Sequence, residues 1–445
     1  MYGQSRQPKI GAFTPPPGGK INIGGQEIVT RDFRTLSRYK EYARCGFEEI
    51  LFAGENKYCG EPFAASGLKK MLDLAAQAKL RAIVYDDRLI RLTREPKEKL
   101  VGEMFATQAD LNAYVADCLQ VYADHPAFYG ISAADEPNAS RAHIFHEFCT
   151  AIYAFRKDIY VHTCCLPMAN NSAVQLALGS ENNAEKDYAD YIDAMCATGL
   201  GYFCYDAYPF GMWEGKNDMR EGYIRNMQIA ALQSASNGVP FYMTIQSFSS
   251  GENDELRRVD QDDLRWQANI ALGFGCKKIY YFTYWRFTTR PSSDFFTYAI
   301  MDEDGKRLLY SAAKQNNAYV LRLFALLEKY SYVRSQFCGD LCGYKAAKWL
   351  KSEQIGMFAG VESTAPVLIN ELTSGDARAY MILNLRDPFE KEKNCVSLKF
   401  AENISTVKAF CRGELKNMRL KADVLKCALR PGEALWLFLD DFVKC

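Results

Sequence analysis

The sequence predicts an α/β protein, a (β/α)8 TIM barrel over residues 1–332 followed by a small C-terminal antiparallel β-sandwich over residues 333–445. Three observations carry this. From Lys9 to Tyr330 short apolar runs alternate with longer amphipathic stretches eight times, the pattern of a parallel sheet wrapped by helices. Neither GxGxxG nor GxxxxGK[ST] follows any of these runs, which makes an open nucleotide-binding sheet the weaker rival. Beyond Val333 the segments become short, alternating and turn-bounded, with no convincing helix between them. A length of 445 residues also exceeds a usual single core and suits one large domain plus a smaller one.

Taken in order, Ile10 to Phe13 reads as the first strand, closed by Pro15, Pro16 and Pro17, and a helix from Thr30 to Cys45 stops at Gly46, a good capping residue. Phe47 to Ala53 is strand two, Ala65 to Ala78 a helix, and Leu80 to Tyr85 strand three, ending in Asp86 and Asp87. A helix over Asp110 to Ala123 precedes strand four, Phe128 to Ala134, and a helix over Ala142 to Phe155 precedes strand five, Ile159 to Thr163. The pairs that follow are helix Tyr188 to Ala197 with strand six, Tyr202 to Tyr205, and helix Tyr223 to Ser236 with strand seven, Pro240 to Ile245. Helix Asp262 to Leu272 leads to strand eight, Lys278 to Tyr284, and a long helix from Leu309 to Tyr330 closes the series. The sandwich strands include Ala379 to Leu385, Val396 to Phe400, Val407 to Cys411 and Ala434 to Leu439.

Lysine plus arginine equals aspartate plus glutamate, 54 each, so no global charge argues for nucleic acid or an anionic membrane, and an uncharged partner is expected. The cysteines number 15 and are scattered without a CxxC pair, and the four histidines do not complete a zinc pattern. Reduced thiols in a cytoplasmic protein are therefore expected, with no metal and no cofactor; no leader-like or membrane-length apolar run is visible.

The chain is organised around AFYGISAADEPN, residues 127 to 138. A short apolar strand ends abruptly in Asp135, Glu136 and Pro137, and proline biases the residue before it toward extended backbone, so Glu136 is expected to continue the strand. In a (β/α)8 barrel the reacting groups sit at the C-terminal strand ends. Those ends supply Glu55, Asp86 and Asp87, Asp135 and Glu136, Asp206 and Tyr208, Gln246, and Trp285. The set is rich in carboxylates and aromatics, which suits glycosidic bond hydrolysis: one carboxylic acid attends the leaving oxygen, a second carboxylate supports the oxocarbenium-like centre, and an aromatic plane holds the ring. Each residue has a plainer alternative. Glu136 can be a salt-bridged structural acid, Asp135 an amide cap, Asp206 a turn-former before Pro209, and Asp86 with Asp87 a helix-capping pair near Arg88. Trp285 reads as a sugar platform rather than core, because it follows a complete apolar strand and precedes RFTTR. No GxSxG elbow or HExxH metal motif is present, and no strand-end lysine supports an aldolase or lyase.

The order of DEP at 135–137, DAYP at 206–209 and the Trp after strand eight resembles the large clan of barrel glycosidases that places an acid/base glutamate, typically in Asn-Glu-Pro, after strand four and a nucleophilic glutamate after strand seven. The resemblance implies an oligosaccharide or glycoside substrate, Glu136 as acid/base, and Tyr208 where the clan hydrogen-bonds its nucleophile. Two positions depart from the clan: Asp135 replaces asparagine, and Gln246 stands where the nucleophile is expected. A carboxamide forms no glycosyl ester. Three readings stay open. Asp206 serves as nucleophile or base; Asp135 and Glu136 resemble the Asp-Glu pair of substrate-assisted hexosaminidases, with Asp135 orienting the substrate's acetamido group; or the barrel binds glycans without turnover. For Glu136 to donate a proton near neutrality its pKa must be raised, by burial beside apolar walls or by a neighbouring anion that Asp135, Asp206 or both supply. Insertions over Leu166 to Lys186 and Ser247 to Asp260 are expected to shape the cleft.

Overall fold

The computed structural model describes residues 7–23, 26–29, 31–52, 58–168, 184–213, 216–250, 255–286, 296–340, 344, 347 and 349–439. Glu55 and most of the 166–186 insertion lie outside these residues.

Eight strands form one parallel curled sheet: β1 (Ile10–Ala12), β2 (Glu49–Leu51), β3 (Arg81–Val84), β4 (Phe128–Ser132), β5 (Tyr160–His162), β6 (Phe203–Asp206), β7 (Phe241–Gln246) and β8 (Lys278–Phe282). They are ordered β5-β4-β3-β2-β1-β8-β7-β6, which is the chain order taken round a circle. The seam between β5 and β6 is joined just past β5 by a parallel bridge from Cys165 to Tyr205, where the Cys165 N–H donates to the Cys204 carbonyl at 2.7 Å. The helices around the sheet are α1 (Leu36–Arg44), α2 (Gly67–Gln77), α3 (Asp87–Arg94), α4 (Gln108–Leu119), α5 (Ala142–Phe155), α6 (Ala184–Cys196), α7 (Tyr223–Ser236), α8 (Gln261–Gly273) and α9 (Tyr310–Leu327). Their starts follow local chemistry. Thr35, Ser66, Thr107 and Asp260 each accept a backbone N–H of the first turn, and Thr107 and Asp260 complete reciprocal boxes with Asp110 and Asp263.

The base of the barrel is polar but matched. Lys278 pairs with Glu49 at 3.0 Å, the Tyr280 hydroxyl donates to Glu49 at 2.5 Å, and both charged groups are buried. Rings of Tyr129, Tyr160, Tyr242 and Tyr280 surround the ammonium at 4.4–5.5 Å. Losing one partner of such a pair leaves an uncompensated buried charge, so the pair and its tyrosines act as a unit beneath the strand ends. Gly11 is required here, since a Cβ would meet the Tyr280 ring at 2.7 Å.

After α9 the chain forms two antiparallel sheets. One has six strands, ordered β9 (Ser331–Cys338), β11 (Val367–Ser374), β12 (Ala377–Asn384), β17 (Ala434–Leu439), β14 (Thr406–Cys411) and β15 (Glu414–Arg419). The other orders β10 (Phe358–Ser363), β13 (Asn394–Phe400) and β16 (Val424–Leu429). The two sheets share a second core that includes Ile369, Ile382, Val396, Leu398 and Leu437. The six-stranded sheet packs on α8: the Asn269 Oδ1 accepts from Trp436 Nε1 at 3.1 Å and from the Tyr319 hydroxyl at 2.7 Å, and Arg257 bridges Asp263 and Asp387 at 2.7 and 2.8 Å.

Candidate active site

The DEP segment is held by hydrogen bonds rather than by strand pairing. β4 ends at Ser132, short of the expected Ala134. From there the Ala133 N–H donates to the His162 carbonyl (2.7 Å), the Ala134 N–H to the Thr93 hydroxyl (2.8 Å), and the Thr163 hydroxyl to the Ala134 carbonyl (2.6 Å). The Glu136 N–H donates to the Cys164 carbonyl (2.8 Å), and the Tyr191 hydroxyl to that of Pro137 (2.8 Å). Glu136 is not extended, contrary to the sequence expectation. Its φ is +46°, a left-handed conformation costly for a side-chain-bearing residue. The bonds on either side fix the backbone there and outweigh the bias from Pro137.

These constraints bring the strand-four acids within electrostatic reach of Asp206, the last residue of β6. Asp135 and Glu136 are exposed as residues, yet protein crowds round their carboxyls. That crowding, then the charges of Asp206 and Glu136, pushes Asp135 up to about 8, against backbone N–H groups of Glu136 and Cys164 that favour its charge. Asp206 rises to about 7 from burial and then from Glu136, while the Tyr208 hydroxyl and Arg220 pull it down. Glu136 is raised by burial alone. Burial is thus the cause that raises Glu136, whereas like-charge repulsion adds to burial at Asp135 and Asp206. Such a cluster titrates as a unit.

Tyr208 stands beside Asp206, where its hydroxyl favours the charged carboxylate, and packs against Phe248 (4.9 Å between centroids) and Phe282 (6.1 Å). Phe282 in turn meets Phe13 at 5.4 Å. Tyr208 and Phe282, both half-buried, thus form an aromatic wall at the ends of β6 and β8, backed by the buried Phe13 and Phe248.

Three expected binding residues lie elsewhere. Trp285 is 1 % exposed and packs on Phe33 (4.7 Å) with Arg38 over its ring, so it is core and not a sugar platform. The misplacement has a simple origin: β8 ends at Phe282, so Phe282 holds the strand-end aromatic position that the sequence assigned to Trp285. Asp86 is wholly buried, caps α3 through the Arg88 N–H, pairs with the Arg88 guanidinium at 2.7 Å and accepts the Tyr122 hydroxyl at 2.9 Å. Its carboxylate is saturated by protein, as the capping alternative holds. Gln246 ends β7 as expected, but it is wholly buried and each polar atom serves backbone. Its Oε1 accepts from the Phe210 N–H (3.0 Å), and its Nε2 donates to the carbonyls of Phe210, Phe248 and Arg257 (3.1–3.3 Å).

Other residues at the cluster were not singled out from sequence. Tyr85, the end of the expected strand three, is within electrostatic reach of Asp135. The Cys164 thiol, buried 3.5 Å from the Thr244 hydroxyl, feels Asp135 and Asp206 and resembles any core cysteine in the sequence. Arg220, whose N–H donates to the Pro209 carbonyl at 2.8 Å, follows a hairpin (Phe210–Trp213, Lys216–Met219) that no periodicity announces. Among the described residues no group of three or more histidine, cysteine, aspartate or glutamate side chains is placed to hold a metal ion, and no helix is long and apolar enough to cross a membrane.

No family model matches the chain, and no curated protein does. Its fold is similar to solved structures. These include an α-amylase from Anoxybacillus (10% identity, 98% of this chain and 99% of that one, TM-score 0.54) and an α-amylase from Geobacillus thermoleovorans complexed with acarbose (11%, 98% and 98%, 0.52). A glycoside hydrolase family 5 protein from Bacteroides vulgatus ATCC 8482 is similar to the same degree (11%, 98% and 89%, 0.54). At these identities the likeness shows the fold, a TIM barrel followed by antiparallel sheets, over nearly the whole chain.

Proposed function

We propose that this protein is a glycoside hydrolase in which Glu136 acts as general acid/base and Asp206 as the second carboxylate. The observation that carries the reading is the meeting of Asp135, Glu136 and Asp206 at the ends of β4 and β6, with two of the three carboxyls raised to about 7 and 8. A barrel mouth with shared protons near neutrality supplies both an acid and a base. The fold's likeness to α-amylases and to a family 5 glycoside hydrolase supports the same class.

In this reading Glu136, whose proton is favoured by burial, is protonated in the reacting form and delivers that proton to the leaving oxygen. The C–O bond breaks toward the departing sugar, and Asp206, oriented by Tyr208, meets the positive charge that develops at the anomeric carbon. A carboxylate separation of roughly 5–5.5 Å makes Asp206 the nucleophile of a retaining enzyme, and roughly 6.5–9.5 Å makes it the base for an inverting water. Gln246 takes no part.

A panel of nitrophenyl glycosides that includes 2-acetamido sugars, with proton NMR of the first-formed anomer, tests the proposal. Hydrolysis that falls in both Glu136→Gln and Asp206→Asn supports it. Cleavage confined to 2-acetamido glycosides and insensitive to Asp206→Asn assigns the substrate-assisted route through Asp135 and Glu136. Sugar binding without turnover leaves a carbohydrate-binding barrel.

A further inference from the structure

A cleft of about 400 Å³ lies between the barrel and the sandwich, formed by α8, α9 and the turns that follow β14 and β16. Four of its lining residues are arginines: Arg265 on α8, Arg322 on α9, Arg412 after β14 and Arg430 after β16; its one lining carboxylate is Glu433. Glu433, 5 % exposed, is taken by Arg412 at 3.1 Å. Arg322 donates to the Gly413 carbonyl at 2.6 Å and has no carboxylate partner among the described residues. Arg265 reaches Asp262 only at 3.5 Å, and Asp262 also serves Lys391 at 3.1 Å. Among the described residues no ion pair engages Arg430. Two guanidinium groups, Arg322 and Arg430, thus share one cleft with no carboxylate partner among the described residues, and Arg265 beside them holds Asp262 only at 3.5 Å, in a chain whose overall charge is zero.

We propose that this cleft binds a small organic ligand carrying phosphate or sulfate esters. Guanidinium forks match tetrahedral oxyanions in paired hydrogen bonds, which carboxamides and hydroxyls alone do not. The space far exceeds one tetrahedral ion, given a water's share of roughly 30 Å³. Beside the arginines, Gln261 and Gln315, bonded to each other at 2.9 Å, offer the mixed donors and acceptors that sugar hydroxyls need. The esterified carrier is therefore expected to be a mono- or disaccharide. This site shares no residue with the carboxylate cluster, and its test does not depend on hydrolysis.

The test is calorimetric titration of the full chain, at fixed ionic strength, with a disaccharide in sulfated, phosphorylated and unmodified forms and with inorganic sulfate. The esterified sugars are expected to bind at least about tenfold more tightly than inorganic sulfate and than the unmodified sugar. Arg430→Gln and Arg322→Gln should each weaken that binding by roughly tenfold or more, the worth of a lost charged hydrogen bond, while the melting temperature without ligand stays within a degree or two in Arg430→Gln. Equal binding by inorganic sulfate assigns the cleft to the free ion and overturns the ester reading. Equal binding by the unmodified sugar, no binding at all, or binding insensitive to both substitutions overturns it as well.

Discussion

The Tyr208 hydroxyl stands beside the carboxylate of Asp206, two residues before it at the end of β6, and favours its charged form against burial and the Glu136 charge. Tyr208→Phe removes that hydroxyl. Asp206 then holds its proton to higher pH, so the acidic limb of kcat/KM moves upward and the loss of rate is larger near pH 6 than near pH 8. An equal loss at both would show that the hydroxyl does not govern the charge of Asp206.

Asp135 is expected to make the fold less stable as pH rises. Its carboxyl ionises at about 8 when folded but near the ordinary carboxylate value when unfolded. Between those values the folded state holds the extra proton, so each step up in pH favours unfolding. Asp135→Asn mimics the protonated form. Its melting temperature should match the wild type near pH 5 and exceed it by a few degrees near pH 8. The gap stays modest because Asp135 is exposed as a residue. Calorimetric scans at the two pH values decide it, and a variant less stable at both would refute the shift.

Gln246→Glu will not restore a strand-seven nucleophile. The Nε2 of Gln246 donates to three carbonyls, and a carboxylate there has no proton to offer them. The Phe210 carbonyl keeps the Arg257 N–H at 3.2 Å, but the buried carbonyls of Phe248 and Arg257 lose this donor, at a cost on the order of 1–3 kcal/mol each when left unpaired. The expected result is a lower melting temperature and no gain in rate. A gain in rate would place the side chain within reach of the substrate.

The two aromatics past Lys278 should separate by what their loss affects. Trp285→Ala opens a cavity in the core and is expected to cost about 3–5 kcal/mol in denaturant unfolding, with KM kept wherever the protein remains folded. Phe282→Ala removes part of the half-buried wall beside Tyr208 and should raise KM with a smaller loss of stability. The opposite pattern would return the platform role to Trp285.

The barrel and the antiparallel sheets were legible because burial on both sides of a strand and on one face of a helix leaves a periodic trace. α5 and α7 fall on the residues that periodicity marks, Ala142–Phe155 and Tyr223–Ser236. Segments set by long-range bonds left no trace. The hairpin between Phe210 and Met219 was not anticipated, the helix Asp87–Arg94 was announced only by its capping pair, and β8 stops at Phe282 although the apolar text runs on to Trp285. At the site, residue type and strand-end position pointed to Glu136, Asp135 and Asp206 and to Glu136 as the proton donor, but not to how burial and charge divide among the three. That depends on distances between strands four and six. Asp86 and Gln246 share the strand-end position and are consumed by capping and backbone support, a difference that chemistry along the chain does not reveal.

The pH dependence of kcat/KM for a glycoside with a poor leaving group, measured for the wild type and for Glu136→Gln, tests the central claim most directly. The account predicts a bell with at least one limb near neutrality for the wild type, and in the variant a loss of about two orders of magnitude or more with that limb displaced. A variant that hydrolyses the same glycoside at the wild-type rate with an unchanged profile would contradict it.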